Sequence, residues 1–217
     1  MRVGVFGTGI VGRTVGTRLV QLGHDVAMGS RSAANETARE WASNQGGRAT
    51  TGTFANAAAH GELLVNATAG AASVAVLRSA GADKLAGKVL VDAANPLDFT
   101  AGMPPTLTVA NTDSLAESIQ REFPALRVVK ALNTVNASVM VDPGRLPGPH
   151  NMFMAGNDDA AKATTAGLLR EFGWPANSVI DLGDLSAARG MEMYVVLWVR
   201  LMITSGTADF NVKLVRP

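Results

Sequence analysis

Short valine-rich runs alternate along this chain with longer alanine-rich stretches whose apolar positions recur every three or four residues. "RVGVFG" leads into a helical stretch from about Ile10 to Leu22, then "HDVAMG", then a second helical stretch through "SAANETAREWASNQ". Parallel strands need a long crossover, and helices cover both faces of such a sheet, so this order predicts a doubly wound, mostly parallel sheet. "ELLVNATAG" (Glu62–Gly70), "KVLVDAANP" (Lys88–Pro96) and "LRVVKALNT" (Leu126–Thr134) repeat the form. Each is short and apolar and ends on small polar residues, as central strands do where they meet a ligand crevice. "SLAESIQREF" predicts a helix capped by Asp113 or Ser114 and ended by Pro124. "VDPGRLPGPHN" (Val141–Asn151) concentrates proline and glycine and reads as a loop or hinge. Beyond it, "NMFMAG", a helix from about Asp159 to Phe172 and "SVIDLG" predict one further strand-helix-strand unit, before a C-terminal helix over about Ser186–Thr204. The expectation is a sheet of about eight strands in residues 1–185, with a hinge at 141–151, and a small C-terminal helical lobe, 186–217, closing the cleft.

Composition narrows the classes. With 217 residues the chain can bury a substantial core. It has no cysteine, which removes disulfides, thiol nucleophiles and cysteine-bound metal and agrees with a cytoplasmic location. Nineteen Lys and Arg against eighteen Asp and Glu give a net charge of +1, without the basic field that a nucleic-acid binder needs. The N-terminus reads as a strand and carries no export signal. The most apolar stretch, Met191–Ile203, is interrupted by Glu192 and Arg200 and is shorter than the roughly 20 residues that span a bilayer. It reads as a buried or interface helix, and Tyr194 and Trp198, four apart, read as part of its core stripe.

The chemistry begins at Gly7-Thr8-Gly9-Ile10-Val11-Gly12, a G-x-G-x-x-G run directly after a strand and directly opening a helix. In that setting the first glycine makes the turn, the second lets backbone approach a pyrophosphate and the third lets helix and strand pack closely. The helix start then meets the anion with free N–H groups. About 20 residues on, where an acid normally receives the adenosine ribose 2′-hydroxyl, stand Gly29-Ser30-Arg31. A hydroxyl and a guanidinium suit a 2′-phosphate and an acid would repel it, so the expected dinucleotide is NADP(H), with Asn35 as an extra contact. Ala67, Thr68, Ala69, Asn95 and Asn133 follow predicted strands and line the expected crevice, where the small residues admit a flat ring. Asn95 and Asn133 could hydrogen-bond a carboxamide or a substrate carbonyl. Acid-base machinery is thin. His24, His60 and His150 read as solvated or capping, Lys130 is a possible proton donor, Asn133 is the one weak catalytic candidate, and no metal-binding spacing is present. Hydride transfer suffers least from this lack, because the cofactor supplies the reactivity and the protein positions two rings.

"GTGIVG", "LGHDVAMGSR", "NPLDF", "VVKALNTVNASVM" and the ending "ARGMEMYVVLWVRLMITSGTADFNVKLVR" together resemble the NADPH-dependent reductases of the deazaflavin coenzyme F420 and their bacterial relatives, over nearly the whole length. The resemblance implies a Rossmann-type domain with a small C-terminal lobe, and NADP held by Thr8, Gly9, Ile10, Val11, Ser30 and Arg31. It also implies Thr68 and Asn95 in the cleft, and reversible hydride exchange with a second ring system, commonly in a homodimer. The expected acceptor is coenzyme F420, then a flavin or quinone. The alternatives are a short imine or β-hydroxyacid-type reductase, which needs a proton donor beside the substrate, and a non-catalytic NADP-binding sensor module.

Overall fold

The structure, a computed structural model, describes residues 1–216. The first half winds as β1 (Arg2–Phe6), α1 (Ile10–Gln21), β2 (Asp25–Ser30), α2 (Glu36–Gln45), β3 (Ala49–Thr53), α3 (Phe54–His60), β4 (Leu63–Asn66), α4 (Gly70–Ala80), α5 (Ala82–Leu85) and β5 (Val89–Asp92). A two-stranded antiparallel ribbon follows, β6 (Leu97–Asp98) with β7 (Thr106–Leu107). The chain then runs through α6 (Leu115–Glu122), β8 (Arg127–Ala131), α7 (Ala137–Val141), β9 (Met152–Gly156), α8 (Asp159–Glu171), β10 (Val179–Asp181) and α9 (Ala188–Ser205).

Eight strands form one sheet in the order β10-β9-β8-β5-β4-β1-β2-β3. All pairings are parallel except β8 with β9, where Lys130 lies opposite Ala155. The reversal at β1, with β2 on one side and β4 on the other, opens the crevice at the carboxyl ends of the strands. Every residue of β4 and β5 is buried, as expected for central strands covered on both faces. Two apolar layers result. Val15, Leu19, Trp41, Val139, Leu168 and Trp174 pack beneath α1, α2, α7 and α8. Phe54, Leu77, Ile119, Phe123 and Ala188 pack on the opposite face, beneath α3, α4, α6 and α9.

Several local expectations change. The second helix starts four residues later than its alanine-rich pattern suggested, because Asn35 caps it by accepting from the Ala38 N–H at 2.9 Å. That engages the Asn35 carbonyl in the helix cap. Residues 49–60, to which the pattern assigned nothing, form β3 and α3. Their "ATTGTFANAAAH" has no wide apolar face, and a reciprocal cap between Thr53 and Asn56 nucleates the helix. His24 is 7% exposed; its ring meets the N-terminal amine and Glu171, at 3.2 and 2.6 Å, in place of solvent. Tyr194 and Trp198 are not core residues: Ala188, Met191, Glu192, Val195 and Val199 form the buried face of α9, and the two aromatics flank it half-buried. No helix among the described residues is long and apolar enough to cross a membrane.

Beyond α9 the chain returns to Asn151, just before β9. The Asn151 N–H donates to the Val212 carbonyl, and Asn151 Oδ1 accepts from the Leu214 N–H. Asp209 accepts from Asn136 Nδ2 and Ser138 Oγ, and Phe210 stacks on Trp198 with ring centroids 5.3 Å apart. These contacts carry the tail to the segment that follows β8.

Candidate functional site

The glycine turn is built by close approach. Gly7 has φ +111°, and a Cβ there would sit 2.5 Å from the Ala67 carbonyl oxygen, so the β1 turn lies directly on the β4 turn. A Cβ on Gly12 would overlap the Gly7 carbonyl, which is why the first turn of α1 can settle onto the strand end. Gly9 differs: a Cβ there would meet nothing within 4 Å. No neighbour among the described residues requires glycine at that position, whereas an approaching pyrophosphate does. No side chain caps α1, its first turn holds no acid, and Ile10 beside it is 70% exposed. The leading N–H groups are left for an anion. Thr8 and Val11 are half-buried on either side.

The Gly7 N–H donates to the Gly29 carbonyl at 3.1 Å, which brings the end of β2 beside the turn. Arg31 is exposed there and forms no ion pair among the described residues. Ser30 is arranged differently from the sequence expectation. It is 4% exposed and its hydroxyl donates to the Ser32 carbonyl at 2.6 Å, so in this conformation it shapes the loop. Ser32, which the pattern did not single out, is exposed beside Arg31, with its Oγ accepting from the Ala34 N–H.

The ends of β4, β5 and β8 meet opposite the turn. Thr68 Oγ1 donates to Asn66 Oδ1 at 2.7 Å, and Asn66 Nδ2 donates to Asp92 Oδ1 at 2.8 Å. Ala67, Ala69, Ala71 and Ala72 leave a wall of small side chains around Thr68. Asn95 and Asn133 interlock: Asn95 Nδ2 donates to the Asn133 carbonyl, and Asn133 Nδ2 donates to Asn95 Oδ1 and to the Met191 carbonyl of α9. Leu132 makes this geometry possible by turning the chain after β8 with φ +69°, a left-handed backbone uncommon for leucine and held here by complete burial. The sequence candidates at 7–12, 67–69, 95 and 133 therefore gather around one crevice, with Arg31 at its β2 end.

Lys130 lies beneath that crevice, fully buried, with Nζ 2.9 Å from Asp92 and 2.8 Å from Glu192. Glu192 also accepts from the Leu115 and Ala116 N–H groups at the start of α6. Burial opposes charge on Lys130, but the two carboxylates outweigh it and hold its pKa above the ordinary lysine value. Glu192 shares that lysine with Asp92, and burial pushes its carboxyl above the usual range. A lysine gripped this way is a structural cation, and the proton-donor role that its sequence position allowed does not fit it. Burial likewise raises the Tyr194 phenol, so its hydroxyl stays protonated at neutral pH. Asn133 Oδ1, Thr134 Oγ1, Tyr194 Oη and Trp198 Nε1 are buried without a hydrogen-bond partner among the described residues. A cavity of about 700 Å³ lies elsewhere, between α1, α2 and α7, and includes none of the crevice residues.

Residues 2–96 match the family described as NADP oxidoreductase, coenzyme F420-dependent. A solved structure from Arthrobacter sp. FB24, provisionally described as an F420-dependent NADP-reductase, is 52% identical, with each chain covered in full and a TM-score of 0.94. The chain belongs to the coenzyme F420-dependent NADP oxidoreductase family. The F420-dependent NADP reductase of Methanothermobacter marburgensis is 29% identical over 99% of this chain and 98% of its own. The rat metalloreductase STEAP3 is 31% identical over 88% of this chain, which spans 36% of the length of that protein. The matched family segment ends at Pro96, just past Asn95, so it holds the glycine turn, the Arg31 loop and the β4 and β5 ends of the crevice.

Proposed function

We propose that this protein is an NADP(H)-dependent oxidoreductase that moves hydride between NADP(H) and a flat heteroaromatic acceptor, coenzyme F420 or a related deazaflavin or flavin. The observation that carries the reading is the exposed Arg31 guanidinium at the end of β2, unpaired among the described residues and tied by the Gly7–Gly29 hydrogen bond to a helix start without a side-chain cap. Bound NADPH supplies the hydride. Around it, Gly7, Thr8, Gly9, Ile10, Val11 and Gly12 cradle the pyrophosphate. Arg31 meets the 2′-phosphate, with Ser30 holding the loop and Ser32 adding a hydroxyl. Ala67, Thr68, Ala69, Asn95 and Asn133 border the nicotinamide end, where positioning of the two rings carries the hydride step and the one proton that balances reduction of the acceptor is taken from water. The proposed setting is the cytoplasm and the proposed assembly a homodimer through α9.

The decisive experiment is Arg31→Glu. Charge-assisted bonds to a phosphate are among the stronger polar contacts, and the substitution adds repulsion. NADPH should lose affinity by about a hundredfold or more while NADH shifts by less than about threefold, read by nucleotide titration. Equal losses for both nucleotides would remove the basis for the reading.

A further inference from the structure

We infer that the cavity between α1, α2 and α7 is a second binding site, for a phosphorylated sugar or polyol, in which guanidinium groups take the phosphate and carboxylates take the hydroxyls. No residue given a role in the proposed function lines it.

Neighbouring helices of a packed layer normally turn apolar faces toward one another. Here α1 contributes Arg13, Thr14, Thr17, Arg18 and Gln21, which recur at helical spacing along one face, and α2 answers with Thr37, Glu40, Asn44 and Gln45. The two helices meet closely at Gly16, where a Cβ would lie 2.8 Å from the Trp41 ring. The Trp41 indole donates to Thr17 Oγ1 at 3.0 Å and fixes that contact. Beside it the polar faces line about 700 Å³, a volume within the range of small-molecule sites.

The charges around this space are unmatched. Arg13 and Arg18 are half-buried and form no ion pair among the described residues, although Glu40 and Asp142 line the same cavity. Arg18 Nε is buried without a hydrogen-bond partner, and buried unmet donors are rare enough for each to call for a cause. The third guanidinium of the cavity, Arg145, reaches Asp209 only at 3.4 Å. Three cations against two acids favour an anion, and the guanidinium fork matches the oxygens of a phosphate. Inorganic phosphate leaves Glu40 and Asp142 facing a like charge. A phosphate carried on a polyhydroxyl frame instead gives those acids hydroxyl donors to accept from, and Thr14, Thr37, Asn44 and Gln45 can serve the other hydroxyls in either direction.

The test is calorimetric titration of the full chain with ribose 5-phosphate, glucose 6-phosphate, ribose and inorganic phosphate, with and without saturating NADP+. One of the sugar phosphates should bind about tenfold or more tightly than inorganic phosphate, with ribose weaker than both, and NADP+ should leave these affinities in place. Arg18→Met keeps the apolar stem and removes the unmet donor. Tm should therefore hold or rise while sugar phosphate affinity falls by about tenfold or more, the scale of a charge-assisted hydrogen bond. Glu40 is exposed, so Glu40→Ala leaves the core intact. It should weaken the sugar phosphate by about threefold or more and leave inorganic phosphate unchanged or tighter, because it removes a hydroxyl acceptor and a repulsion together. No binding of either sugar phosphate, equal affinity for sugar phosphate and inorganic phosphate, indifference to Arg18→Met, or displacement by NADP+ would overturn the inference.

Discussion

Lys130 shows how a single residue can look catalytic in sequence and be structural in space. It sits three positions before Asn133 at the end of a central strand, yet its ammonium is fully buried between Asp92 and Glu192. Two carboxylates and one lysine leave the trio with one excess negative charge, partly offset by the Leu115 and Ala116 N–H groups. Removing one partner of a buried ion pair strands the other, which is costlier than never having buried the pair. Lys130→Met therefore leaves two unpaired buried acids and should destabilise by about 3–5 kcal/mol. Glu192→Gln keeps one oxygen for Lys130 and the Ala116 N–H, turns an NH2 toward the Leu115 N–H, leaves Lys130 with Asp92 and removes the excess charge, so it should lose only about 1–2 kcal/mol. Urea midpoints would rank the two, and a larger loss for Glu192→Gln would contradict this account of the trio.

At the scale of elements, α9 is held to α6 by a second device nearer the surface. Arg189 donates to both oxygens of Glu117, at 2.6 and 2.9 Å, and Ser114 donates to the same carboxylate. The Arg189 hydrogen bonds hold the Glu117 carboxyl below its ordinary pKa of 4.5, against a smaller opposing effect of burial. A depressed carboxyl stabilises the fold above its unfolded pKa and loses that contribution as pH falls through the folded value. The link between α6 and α9 is therefore complete at neutral pH and weakens below about pH 4.5. Glu117→Gln should lower stability by about 0.5–1 kcal/mol at pH 7, and the gap to wild type should close toward pH 3 in thermal melts, since a protonated Glu resembles Gln. The same elements show what could be read in advance. Strands β1, β2, β4, β5 and β8 were legible because each carries a short valine-, leucine- or methionine-containing apolar run, and the glycine turn was legible because its spacing encodes close approach. Strand β3 was not, since an edge strand of "ATTGT" buries one residue and carries no period. The Ser30 hydroxyl bond to Ser32, the Asp92–Lys130–Glu192 trio and the four unmet polar atoms all depend on side chains from distant segments. Spacing within one stretch cannot reveal such meetings; the nearest signal was Glu192, an acid inside an otherwise apolar run.

At the scale of the whole molecule, α9 presents two faces and only one is covered within the chain. Met191, Val195 and Val199 are buried, whereas Met193, Leu197 and Leu201, spaced by four, are 36%, 55% and 37% exposed. Single exposed leucines are ordinary, but an apolar row along one helix marks an interaction surface. A two-fold axis would let this row meet its own copy, the commonest solution for a soluble oligomer. The row also adjoins the Tyr194 and Trp198 stripe, so a second copy seated there would shield the acceptor side of the crevice from water. Leu197→Glu tests this without disturbing the core, because the residue is half exposed in the single chain. Wild-type protein should scatter light as a dimer at micromolar concentration and the variant as a monomer, because pairing the helices would bring two like charges into an apolar contact. Nucleotide affinity should be the same in both, since Arg31 and the glycine turn lie at the other end of the crevice. Deazaflavin turnover should fall in the monomer if closure by the second copy completes the acceptor side. A wild-type protein that scatters as a monomer would leave the exposed row without this role.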